Sequence, residues 1–260
     1  MANLPTIIYP IYTTTIPSTK QPVKYRPYTG AEEKVFLTAA ESDDPEQIKD
    51  ALVAVIGAAT NSLLDISKLT TFDIEWMFLQ LRGRSIGEKL KASVQLSQCP
   101  NNENRLCKET TRFVIDLDKV KLLIKDGDKT TDFAKTKFKD VANIKLNDNL
   151  AVAFRYPGFE DFDVVAKFNG SEEVDTDEIA YELMSRCAVT LFDKEVKYPA
   201  KDSTIEELKK WFKDLDKESL KPIEEFFKKI PSLSYTTTIK CQKCDRVQEY
   251  TLEGLNDFFA

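Results

Sequence analysis

Cys241 and Cys244, with Gln242 and Lys243 between them, are the side chains of this sequence whose type and spacing best suit chemistry. Two thiolates at this separation can grip one tetrahedral zinc ion, and the strand-like runs "SLSYTTTIKC" and "DRVQEYTLEG" around them resemble half of a zinc ribbon. A complete site needs further ligands, and Cys99 and Cys107, which flank the segment "CPNNENRLC", are the other available pair. One structural zinc ion held by Cys99, Cys107, Cys241 and Cys244 is therefore one reading, although the separation of the first pair is long for a regular knuckle. A redox pair is a second, but it favours a helix N-terminus, where the thiolate is stabilised, and strands flank this one. Ordinary small side chains are the third.

Other chemistry is narrowed by composition. The chain has no histidine, which excludes Ser-His-Asp and Cys-His catalysis and every histidine-ligated metal triad. Lysine, tyrosine, cysteine and paired carboxylates remain as catalysts. The acids of "TDEIAYEL" and "STIEELKKWFKDLDKES" could in principle form a general acid-base pair, but at these spacings they read as solvated helix faces. The eight glycines are scattered, and neither G-x-G-x-x-G nor G-x4-G-K-[ST] occurs, so no phosphate-cradling loop is expected.

The 260 residues suffice for one large or two modest domains, and 42% hydrophobic with 31% charged residues describes a globular chain. A net charge of −6 argues against a nucleic-acid partner. No apolar run is long enough to cross a bilayer and no leader pattern opens the sequence, so neither a membrane partner nor export is expected. Five cysteines in such a chain read as free thiols or metal ligands.

The elements that must carry these groups follow from periodicity. "IYTTTIPSTKQPVKYRPY" reads as a strand, a turn at "PSTKQP" and a second strand. Pro5, Pro10, Pro17 and Pro27 make it either an edge hairpin packed on its own domain or an arm reaching to a partner. Thr29 and Glu32 have the spacing of a capping box, with Val35, Phe36 and Ala39 as the apolar stripe behind them. Asp44 and Pro45 open a second helix carrying Ile48, Leu52, Val55 and Ile56. A third begins near Thr71, with Phe72, Ile74, Met77, Phe78 and Leu81 on its apolar face.

Beyond Gly83 and Gly87, "KLKASVQLSQC" and the return strand "ETTRFVIDLDKVKLLI" predict a hairpin tipped by Cys99 and Cys107. Residues 127–145 read as a polar connector, and "LNDNLAVAFRYPGF" as a strand stopped by Pro157 and Gly158. "TDEIAYELMSRCAVTLFD" reads as one helix with Ile179, Leu183, Cys187 and Leu191 in a seam, which makes Cys187 a buried structural thiol. Ser203 and Glu206 cap the next helix, and "SLKPIEEFFKKIP" continues the bundle to Pro231. The expected class is α+β. Residues 1–126 hold the N-terminal hairpin, helices and first cysteine-tipped hairpin, and 146–260 a strand, helices and the second such hairpin, either as two units or as one.

Several features suit docking better than turnover. Trp76 and Trp211 read first as core, with Trp76 also a candidate partner anchor. Phe258 and Phe259 close the sequence and are either docked on the chain itself or offered to a neighbour's groove.

Four phrases together resemble the baseplate hub and hub-assembly proteins of T-even-type contractile-tailed bacteriophages. They are "LPTIIYPIYTTTIPSTKQPVKYRPYTGAEEKVFLTAAES", "TFDIEWMFLQLRGRSIGE", the "CP" tip before "VIDLDKV", and the closing "CQKC" with "YTLEGLNDFF". The resemblance spans essentially the whole chain and is strongest over residues 4–120 and 235–259. It implies a morphogenesis protein present in the host cytoplasm during assembly and, for a virion component, in the tail baseplate. Its expected partners are other hub proteins, with self-association as an additional prospect. The resemblance carries no catalytic residues, so an enzyme is not expected. "CPNNENRLC" is longer than the compact cysteine tip of the family, which weakens the metal reading. Three alternatives accompany this one: an assembly chaperone absent from finished particles, a zinc-stapled adaptor, and an enzyme working through thiols or carboxylates.

Overall fold

The N-terminal strands β1 (Tyr12–Thr15) and β2 (Pro22–Tyr25) form the expected antiparallel hairpin, with Tyr12 opposite Tyr25 and Thr15 opposite Pro22. Its turn closes through the Lys20 amide on the Ile16 carbonyl, and Lys20 takes a left-handed conformation with φ 59°. The computed structural model describes residues 5–42, 44–97, 106–127, 129–165, 176–254 and 256–258. Ile16 and Tyr25 are buried in the larger of the hydrophobic cores, so the hairpin is part of its own domain.

The three predicted helices follow, and their caps explain where they start. Thr29 and Glu32 exchange hydrogen bonds at the head of α1 (Gly30–Glu41), and Arg26 grips both Glu32 oxygens at 2.6 and 2.8 Å. Asp44 accepts from the Glu46 amide at the head of α2 (Pro45–Ala59), whose Ala51, Leu52, Val55, Ile56 and Ala59 are buried along one stripe. Thr70 and Asp73 form a capping box at α3 (Thr71–Ser85), which buries Phe72, Ile74, Met77, Phe78 and Leu81.

The strand β3 (Lys89–Ser97) pairs with β4 (Leu106–Asp116) from Lys89 opposite Asp116 onward. The predicted return strand does not run on as one element. After Leu117–Lys119, a single 3-10 turn, it continues as β5 (Lys121–Asp126) in another sheet. The reason is a slip in the alternation: Ile115 and Leu117 point inward at a spacing of two, Val120 and Leu122 likewise, but Leu117 and Val120 are three apart.

The segment 127–145, read as a connector, is structured. Gly127, at φ 59°, turns β5 into β6 (Lys129–Asp132), Phe133 is buried against Phe72 at a ring separation of 5.2 Å, and β7 (Val141–Lys145) follows. β7 pairs with β8 (Ala151–Arg155), and β9 (Ala188–Phe192) and β10 (Lys197–Pro199) extend that sheet in the order β10-β9-β8-β7. The predicted long helix is likewise divided, since α4 (Thr176–Cys187) stops where Ala188 begins β9. Val189, Thr190 and Phe192 prefer the pleated strand, and Leu183, Cys187 and Leu191 can all be buried across that change of element.

The helix α5 (Ile205–Lys213) is capped by Thr204 and Glu207, one residue later than the predicted Ser203 and Glu206. The α6 helix (Lys217–Lys228) is capped by Asp216. The chain then returns to the first half. β11 (Ser232–Lys240) pairs with β5, Ser232 opposite Leu123, and with β12 (Val247–Glu253), giving the sheet order β12-β11-β5-β6.

Two large cores result. One gathers α1, α2, α3, β5 and the returning Leu233, Leu252 and Phe258. The other packs Phe154 against Phe212 and Phe226, at 5.9 and 5.8 Å, under α4 to α6. Tyr156 belongs to both: its ring lies 5.9 Å from Phe72 on one side and 5.1 Å from Phe226 on the other. The backbone joins there too, with the Thr71 amide donating to the Pro157 carbonyl and the Phe159 amide to Leu69. Residues before and after the segment 127–145 are thus in contact with each other.

Candidate functional site

The hairpin of β11 and β12 sets the closing thiols on its end, as its alternating Thr, Tyr and Val residues favour. The Cys241 amide donates to the Arg246 carbonyl at 2.8 Å, and Asp245 turns the chain with φ 54°. Cys241 is fully buried in a small third cluster with Leu96 and Ile239, and half-buried Cys244, Val94, Phe113 and Tyr250 pack around it. Phe113 of β4 meets Tyr250 of β12 edge-on at 5.7 Å. The ends of the two hairpins therefore share one apolar cluster.

The other cysteines of the predicted zinc set are placed only in part. Cys107 falls in β4, and Cys99 lies outside the described residues. Among the described residues no group of three or more Cys, Asp or Glu side chains is arranged to hold a metal ion. Cys187 is fully buried, and desolvation first, with Asp161 adding, pushes its thiol far above the ordinary value. It is a packing residue.

The predicted partner anchors have structural roles. Trp76 is half-buried, and its indole N–H donates to the Thr14 hydroxyl at 3.2 Å, seating β1 against α3. Phe258 is fully buried in the larger core, so its ring is a core element and is not offered to a neighbour. The turn that carries it is held by the Glu253 amide on Asp257 at 2.7 Å. Phe259 lies outside the described residues.

Apolar side chains are instead offered by the segment before β1. Ile7, Ile8 and Ile11 are 71%, 89% and 59% exposed, large aliphatic side chains close together in the sequence and open to solvent. The segment is nevertheless held at intervals. The Arg26 guanidinium stands 5.4 Å from the Tyr9 ring, and that of Arg84 stands 5.3 Å from the Tyr12 ring. Prolines 5 and 10 leave it extended, without a ladder.

Glu75 was not foreseen. It sits in the apolar run of α3, lines a cavity of about 450 Å³ between α3, α4 and α6, and its Oε2 has no hydrogen-bond partner among the described residues. Desolvation raises its pKa to about 7, against the lowering effect of a hydrogen bond from the Leu233 backbone. The signal was available: a single acid between Ile74 and Trp76 on an otherwise buried helix needs a partner or a purpose.

The protein-family model described as "T4 bacteriophage base plate protein" matches residues 9–260. The chain belongs to that family. No curated protein and no solved structure matches it. Membership makes this a phage base plate protein, consistent with a structural role. Among the described residues, no helix is long and apolar enough to cross a membrane.

Proposed function

We propose that this protein acts in assembly of the base plate hub by binding other hub proteins, without turnover of a small molecule. The observation that carries this is the segment 5–11, which is tethered through Tyr9 while Ile7, Ile8 and Ile11 face solvent. A partner base plate chain covers those side chains, either by adding a strand beside the segment or by receiving the isoleucines in a groove. Pre-attachment at Tyr9 lowers the ordering cost that a free tail would bear on binding. Removing residues 1–28, the natural first test of an arm, would delete the core residues Ile16 and Tyr25 along with it. Ile7→Ser with Ile8→Ser removes the contact surface and leaves the core intact. Loss of hub formation by this folded variant supports the proposal, and undiminished formation overturns it. Finished tails that contain the chain identify a virion component; its presence in infected lysate and absence from particles identifies an assembly chaperone.

A second reading concerns the thiols. The shared cluster of Leu96, Cys241 and Cys244 favours a structural zinc ion that staples the two hairpin ends through Cys99, Cys107, Cys241 and Cys244. Its role would be stability of the docking scaffold. Elemental analysis of untagged protein decides it.

A further inference from the structure

The strand β3 is paired on one side only. Among the described residues it has a single strand partner, β4, in a two-stranded sheet, and no backbone hydrogen bond from another element reaches it. An antiparallel strand points half of its backbone donors and acceptors to each side, so the outer edge of β3 carries a row of groups without a strand partner. The register runs unbroken from Lys89 to Gln95, with neither a proline nor a bulge to blunt that edge. The two faces of the strand differ. Leu90, Ala92 and Val94 turn toward the apolar clusters but are only half-buried, which leaves apolar surface beside the open edge. Lys89 and Lys91 turn the other way and are exposed, on the face that also carries Arg112 of β4, opposite Ser93. No salt bridge joins these three cations to an acid among the described residues, and Asp116, opposite Lys89, stands 3.3 Å from Lys119. Lysines along an edge repel an identical edge, which keeps two copies of β3 apart, but they attract a strand that carries acids.

We propose that the free edge of β3 accepts an extended segment of a partner protein in which acidic and apolar side chains alternate. Backbone hydrogen bonds to the unpaired row of β3 supply the attachment. Because alternate side chains of a strand face opposite ways, the acids of such a segment stand beside Lys89 and Lys91 while its apolar side chains cover Leu90, Ala92 and Val94. The inference rests on the proposed role in protein-protein contact and adds a second contact, on a different element from the N-terminal segment.

The test uses purified full-length chain and three probes: acetyl-Glu-Val-Glu-Val-Glu-Val-amide, the same peptide with lysine in place of glutamate, and acetyl-Glu-Glu-Glu-Val-Val-Val-amide, which keeps composition and charge but loses the alternation. Binding is read from backbone amide resonances, and its place from the hydrogen exchange of the β3 amides. The expected result is saturable binding of the alternating acidic peptide with slowed exchange at alternate β3 residues, and at least about tenfold weaker binding of the other two. In the variant Lys89→Glu with Lys91→Glu, both at exposed positions, the preference should reverse toward the lysine peptide. Equal affinity for the three peptides, an unreversed preference in the charge-swapped variant, or binding that leaves the β3 amides exchanging as before would each overturn the proposal. These measurements leave the isoleucine segment unaltered, so their failure would not touch the hub reading, and failure of the isoleucine variant would not touch them.

Discussion

The Ser18 hydroxyl donates to Asp73 Oδ2 at 2.5 Å, and the Ser18 amide reaches Oδ1 at 2.9 Å. One buried carboxylate thereby holds the turn of the N-terminal hairpin while it also accepts from the Thr70 amide and hydroxyl at the head of α3. The hairpin from which the exposed isoleucines extend is fixed to the core helix through this residue.

Replacing that carboxylate should be costly. Asp73→Ala removes the carboxylate half of the capping box and leaves the Ser18 groups without their acceptor, for an expected loss of about 2–4 kcal/mol in denaturant unfolding. Ser18→Ala keeps the cap and should lose only about 1 kcal/mol. Equal losses would mean that the hairpin contact, not the cap, dominates.

Glu75 should make stability depend on pH with an unusual sign. Between its ordinary value of 4.5 and about 7 the folded chain keeps a proton that the unfolded chain releases. Stability from this group is complete below that window and falls as pH rises through it, by on the order of 3 kcal/mol. Glu75→Gln should therefore be more stable than the parent at pH 8, with the difference shrinking toward pH 4.5. Parallel stability curves for the two proteins would show that the carboxylate is solvated.

Tyr156 should couple the two cores. Tyr156→Ala opens a void between Phe72 and Phe226, and its expected cost is about 3–5 kcal/mol. Thermal unfolding followed by calorimetry should then broaden or split, because the contact shared by both cores is gone. A single transition, merely shifted, would assign the coupling to the Thr71 and Pro157 backbone link instead.

What the sequence disclosed about this fold depended on how local the cause was. The starts of α1 and α2 were legible because Thr29 and Asp44 stand beside their own capping signals, that of α3 because its apolar face begins beside Thr71, and the hairpins followed from alternation. The corner between β4 and β5 was hidden by a one-residue slip at Leu117 and Val120. The end of α4 was hidden because a spacing of four places Leu183, Cys187 and Leu191 in one seam whether or not Ala188 is helical. β6 and β7 are short and mostly exposed, so their pattern is weak until partner strands fix them. At the candidate site the isoleucines were visible as composition, but their exposure was not. The burial of Phe258 depends on β11 returning to pair with β5, a long-range event that no local pattern encodes.

The thiol reading has its own check. If zinc staples the hairpin ends, untagged protein should carry about one zinc per chain, and Cys241→Ser should lose it together with thermal stability. Metal-free protein of unchanged stability would leave Cys241 as a buried packing residue beside Leu96 and Ile239.

The most direct test of the central claim is hub formation by phage carrying Ile7→Ser and Ile8→Ser. Both side chains are exposed, so the purified variant should fold with the stability of the parent. The account predicts a fall of about tenfold or more in completed hubs, reflecting the loss of two apolar anchors at an interface. Wild-type yield of hubs from the folded variant would contradict it.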